Sequence, residues 1–127
     1  MQQNQLFEYA VIRIVPKVER EEFLNVGVIL YCGRLNFLQA KFSWNEERLG
    51  IFCGGSDKQE ILQNLSAIER ICEGGSKAGP IGRLDIAARF RWLTAIRSTI
   101  VQTSKVHPGF CANPSETLSR LYSQLVL

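Results

Sequence analysis

The chain has 127 residues, 46% hydrophobic and 21% charged, with a formal net charge of +3. Those figures fit one domain around one core and exclude an extensively disordered chain. Fifteen basic residues are diluted by twelve acidic ones, an excess too small and too scattered to mark a dedicated nucleic-acid binder.

The opening MQQNQLFEYAVIR has no basic start, apolar core or small-residue cleavage site, and no apolar run approaches the ~18 residues of a membrane span. A cytoplasmic location is expected, with 1–127 as a single domain and 1–6 as a flexible N-terminus. Phe7 to Val15 is aromatic and β-branched and stops at Pro16, so it predicts a first strand. After the charged connector 17–22, Val26 to Cys32 is apolar at every side-chain position, as a strand covered on both faces would be. Gly33-Arg34 then fits a two-residue type II′ turn into a third strand, Leu35 to Phe42. Ser43 to Gly55 predicts an irregular or short-helical excursion.

A helix follows, with Ser56 and Gln59 as a capping box and Ile61, Leu62, Leu65, Ile68 and Cys72 as its apolar stripe. Gly74 takes the left-handed closing position. The segment 74–82, GGSKAGPIG, predicts a glycine-rich loop; it lacks the Gly-Lys-Ser/Thr order of a phosphate-binding loop. Asp85 to Ile96 predicts a second helix with Ile86, Phe90, Leu93 and Ile96 on one side, although a strand through Arg89 stays open. Arg89 and Arg91 would project about 200° apart on that helix, which argues against a recognition helix. Ser98 to Ser104 returns to β-propensity as a fourth strand, ended by Pro108 and Gly109. Asn113-Pro114-Ser115-Glu116 is a helix start, and Leu118, Leu121, Tyr122 and Leu125 continue its apolar stripe. The order β-β-β-α-α-β-α predicts an α+β domain: a mainly antiparallel sheet of about four strands with about three helices packed on one face.

Functional chemistry concentrates between Phe90 and Gly109, where Arg91, Arg97, Ser98, Thr99, Ser104, Lys105 and the only histidine, His107, lie among apolar residues. A charge drawn into such surroundings is costly unless paired, so the arginines predict either internal carboxylates such as Asp85, Glu22 and Glu116 or an external anion. Arg97 has a planar fork of donors, and Ser98 and Thr99 add hydroxyls, a set suited to phosphate. His107 with Ser98, Ser104 or Cys111 would be the material of nucleophilic catalysis, but no nucleophile-elbow sequence supports it. The cysteines Cys32, Cys53, Cys72 and Cys111 are widely spaced, which predicts reduced thiols rather than a zinc or redox motif. No metal and no cofactor is expected. The apolar end Leu125-Val126-Leu127 and a strand edge offer a protein interface.

Two blocks carry a resemblance. Tyr9 to Pro16 leading to Glu22 to Leu30, and Phe90 to Thr94 through Arg97-Ser98-Thr99, Gln102 and His107-Pro108-Gly109, resemble a bacterial family of unknown function, domain of unknown function three-zero-three-seven. The resemblance spans Phe7 to Leu121. It implies a small accessory protein encoded beside a HipA-like serine/threonine kinase, which would be its partner. Where relatives often carry proline, this chain has Ile96, so its helix is expected to continue to Arg97.

The expected function is a cytoplasmic interaction module without catalysis of its own. It would bind a partner protein, and an anionic ligand, around Arg91, Arg97, Ser98, Thr99, Ser104 and His107. The alternatives are a small enzyme or nucleotide-binding protein using His107 as acid/base and Arg97 on a phosphate, and a weak nucleic-acid binder.

Overall fold

The computed structural model describes residues 4–15, 22–45, 47, 58–97 and 99–127. In chain order they form β1 (Gln5–Ile14), β2 (Leu24–Cys32), β3 (Phe37–Phe42), α1 (Lys58–Glu73), α2 (Ile86–Leu93), β4 (Val101–Thr103), β5 (His107–Cys111) and α3 (Pro114–Leu125). Short 3-10 segments lie at Gly33–Leu35 and Ser76–Arg83. The antiparallel sheet runs β3-β2-β1-β4, and β5 pairs with β1 beside β4. The α+β class and the antiparallel sheet read from the sequence are what the chain forms.

The helices do not share one face. Ile12, Ile14, Val26, Ile29 and Leu38 face α1 and α2, meeting Ile61, Leu65, Ile71, Phe90 and Leu93. On the opposite side Phe7, Val28, Leu30 and Cys32 meet Leu118, Leu121 and Tyr122 of α3. The reason is in β2 itself: a strand apolar at every position needs cover on both sides. A bulge sharpens this division. Ile12 pairs with Gly27 but Arg13 pairs with Asn25, so Val26 is the extra residue and joins the α1 side. Asn25 is left facing α3, and its Nδ2 donates to the Leu125 carbonyl at 3.1 Å.

Strand ends and turns differ from expectation in ways that have local causes. Gln5 and Leu6, expected in a flexible N-terminus, belong to β1 because they pair with Cys111 and Phe110. The β2–β3 connection is not a two-residue turn. Cys32 pairs with Phe37, Gly33–Leu35 makes a 3-10 turn, and Asn36 takes the left-handed conformation at φ 51°, a role asparagine tolerates well. The capping residue Ser56 lies outside the described residues, as do Cys53 and most of the excursion after Trp44. In α1 the stripe includes Ile71, while Leu62 is exposed. Gly74 closes the helix at φ 79°, as expected, its N–H donating to the Arg70 carbonyl.

Helix α2 starts with the Asp85 carboxylate accepting the Ala88 N–H at 2.7 Å, but it stops at Leu93 rather than continuing to Ile96 or Arg97. Thr94 is the C-cap, and its Oγ1 donates to the Phe90 carbonyl at 2.9 Å, a local bond that competes with another helical turn. Ile96 is consequently fully exposed. The fourth strand also continues further than Pro108-Gly109 suggested. Ser104 faces Val11, and Tyr9, two residues back along β1, faces His107 three residues on, so one extra residue bulges out and pairing resumes as β5. Pro108 fits there because the alternation of ladder bonds turns its missing N–H to the outer edge. Gly109 fits because a Cβ would stand 2.6 Å from the Phe7 ring.

Candidate functional site

The sequence brought six residues together as one site; of the five that are described, the fold keeps Arg97 and Thr99 together and sets Arg91, Ser104 and His107 apart from them. Arg91, on α2, forms a fork to Glu8 of β1, with Nη1 and Nη2 at 2.6 and 2.9 Å from the two carboxylate oxygens. The hydrogen bond to Glu8 raises the Arg91 pKa despite slight desolvation. Ser104 is buried between β4 and β5. Its hydroxyl accepts the Val11 N–H at 2.8 Å and donates to the Lys105 carbonyl at 2.9 Å, so both hydroxyl functions are used inside the sheet.

His107 is exposed on the opposite sheet face, its ring 5.3 Å from that of Tyr9. Among the described residues none hydrogen-bonds the imidazole. Cys111, four positions along the same strand, is about 13 Å away at ~3.3 Å per residue. Burial pushes the Cys111 thiol pKa up, away from a nucleophile's requirement. Cys72 is further removed, with burial driving it up to about 12 against the opposing charge of Arg89. The described residues hold no cluster of histidine, cysteine or carboxylate suited to a metal. Ser98 lies outside them.

Arg97 and Thr99 do converge. They line a cleft of about 310 Å³ between α1, the end of α2 and β4, with Trp92, Gln102, Glu60 and Asn64. Arg97 is held from two directions. Its guanidinium lies 4.1 Å from the centre of the Trp92 ring, a stacking distance, while Nη1 and Nη2 donate to the Leu93 and Trp92 carbonyls at 3.3 and 2.5 Å. Those carbonyls end α2, where a cation is favoured by unpaired C=O groups and the helix dipole. Partial burial lowers the Arg97 pKa, yet guanidinium stays cationic at any ordinary pH. No carboxylate among the described residues lies within ion-pair distance of it. Among the described residues two of its five N–H donors are engaged, and the others face a ligand's side of the group. Thr99 braces the loop, with Oγ1 donating to the Val101 carbonyl at 2.7 Å and its own carbonyl accepting Gln102 Nε2 at 2.8 Å.

The arginine that the sequence reading set aside is the most internally committed. Arg89 donates through Nη1 to the Ile71 and Cys72 carbonyls, both at 2.8 Å, and through Nε to the Leu84 carbonyl at 3.1 Å. It therefore caps α1 as Arg97 caps α2. Backbone carbonyls at helix ends are thus a third way to hold an arginine near a core, besides a carboxylate or an outside anion. In the glycine-rich segment the Gly75 N–H is taken by the Gly82 carbonyl at 2.9 Å and the Ala78 N–H by the Gly75 carbonyl at 3.2 Å, so neither is open to a phosphate.

No helix among the described residues is long and apolar enough to cross a membrane. No curated protein and no solved structure matches the chain. Residues 9–126 match the family described as protein of unknown function (DUF3037), in keeping with the two sequence blocks that β1–β2 and α2–β5 contain, and the chain belongs to that family.

Proposed function

We propose that this domain is a binding module without chemistry of its own, which receives an anionic group of a partner protein in the cleft beside Arg97. One observation carries the reading: a guanidinium fixed by Trp92 and two carbonyls borders a largely apolar cleft and pairs with no carboxylate among the described residues. Preorganisation of this kind favours a carboxylate or phosphate because little side-chain freedom is lost on binding. The floor of Ile68, Ile71 and Leu93 suits an apolar neighbour of that group. The enzyme alternative draws less support, since His107 and the Ser104 hydroxyl stand away from the cleft and the latter is spent on the sheet.

The test is an NMR titration of the protein with inorganic phosphate and, separately, acetate. Saturable shifts of the Arg97 side-chain and Thr99 resonances, lost in Arg97→Ala, are expected. Absence of shifts with both ions refutes the reading. The HipA-like kinase implied by the family resemblance is the first protein partner to try. Its binding should weaken at least tenfold in Arg97→Ala.

A further inference from the structure

We propose that the cleft's occupant is an extended acidic peptide segment of a partner protein, which adds to the sheet as a strand along the outer edge of β4 and sets a carboxylate against Arg97. This rests on the anion-binding reading above and adds the ligand's class and mode of docking.

The edge is defined by the ladder. Val15 donates to the Ile100 carbonyl and Ser104 to the Val11 carbonyl, with Arg13 opposite Gln102 between them. Residues 100, 102 and 104 therefore turn their backbone groups toward β1, and Val101 and Thr103 turn theirs outward. The Val101 carbonyl is taken by Thr99 Oγ1. The Val101 N–H and both Thr103 backbone groups have no partner among the described residues. Such a row is a template for a further strand.

The cleft opens onto this edge. Val101 and Thr103 lie on the α1 side, flanking Ile12 and Ile14, whereas Gln102 points to the other face, and all three line the same cleft. The cleft therefore runs along all three residues of β4. A peptide laid there would have β4 on one side and Ile68 and Ile71 of α1 on the other, so alternate side chains enter the cleft.

Charge and geometry select this edge over its competitors. Along β5, Pro108 removes the outward N–H. The cleft beside β3 is bordered by Glu69 and Glu73 and by no basic residue, so it would repel an acidic segment, whereas at the β4 cleft the one carboxylate, Glu60, is offset by Arg97. Among the described residues, open strand groups and an arginine without an ion pair meet at β4.

The experiment is selection of a random heptapeptide library displayed on phage against the whole chain, followed by synthesis of the consensus. Expected is enrichment of Asp or Glu within two positions of a branched or aromatic apolar residue. N-methylating the consensus amide that pairs with Thr103, or the Thr103→Pro variant, should weaken binding at least tenfold. That variant removes an outward N–H and no ladder bond, and circular dichroism will report whether the fold persists; the methylated peptide gives the same reading on unaltered protein. No enrichment, or a consensus indifferent to N-methylation, overturns the strand-addition proposal. If phosphate and acetate still shift Arg97 in that case, the anion-binding reading stands alone. A consensus held equally well by Arg97→Ala overturns the acidic specificity and the anion reading together.

Discussion

The hydroxyl of Ser104 stands where a ladder carbonyl would otherwise meet the Val11 N–H, accepting it at 2.8 Å. It thereby allows β4 to end and β5 to begin without orphaning β1. In Ser104→Ala that N–H is buried and unpaired, and a loss of about 1–3 kcal/mol is expected. Equilibrium urea unfolding measures it as a lower midpoint at unchanged slope.

Replacing Arg97 should affect binding and the end of α2 together. Arg97→Ala is expected to weaken binding of the peptide consensus at least tenfold and to red-shift Trp92 fluorescence as the stacked guanidinium leaves the ring. Arg97→Lys keeps the charge without the planar fork, so intermediate affinity is expected by calorimetry. Equal affinity of all three proteins contradicts the site.

Cys72 gives the fold an alkaline sensitivity with a definite sign. Its pKa rises from 9.0 to about 12 through burial, so above pH 9 the unfolded chain loses a proton that the folded chain keeps. Stability from this group is complete below pH 9 and declines as pH climbs toward 12, by at most about 1.4 kcal/mol per pH unit. The difference between wild-type and Cys72→Ala unfolding curves across that window isolates it. In the native state Cys72 should resist iodoacetamide at pH 8.

The Glu8–Arg91 fork has good geometry, but the Arg91 side chain is 58% exposed. Solvent screening limits such a pair, so a double-mutant cycle with Glu8→Gln and Arg91→Ala should give a coupling of about 0.2–1 kcal/mol. It should fall further in molar salt.

Asn113 accepts the Ser115 and Glu116 N–H groups at 3.1 and 3.3 Å ahead of Pro114. Asn113→Ala should cost about 1 kcal/mol in thermal unfolding, with α3 amides exchanging faster than those of β1 and β2.

Much of the frame was legible because its signals are local. The asparagine cap of α3, the Gly74 closure and the apolar run of β2 each act over a few residues. What escaped was masked locally or depends on distant chain. Thr94 ends α2 by a local bond that the apolar periodicity through Ile96 masks, and nothing near Pro108 shows that its side of β5 has no partner to lose. The site was half legible for the same reason. Arg97 and Thr99 were found, but the wall formed by Glu60 and Asn64 comes from another helix. The proximity of Arg91, Ser104 and His107 in sequence did not bring them together, since adjacent positions on a helix or across a bulge point in different directions.

The Val11–Ser104 junction spans 93 positions of sequence. While the protein is being synthesised, β1, β2 and β3 emerge first and can form a meander whose outer side waits for β4 and β5. During that interval the flank of β1 is open to chaperones or to a neighbouring nascent chain.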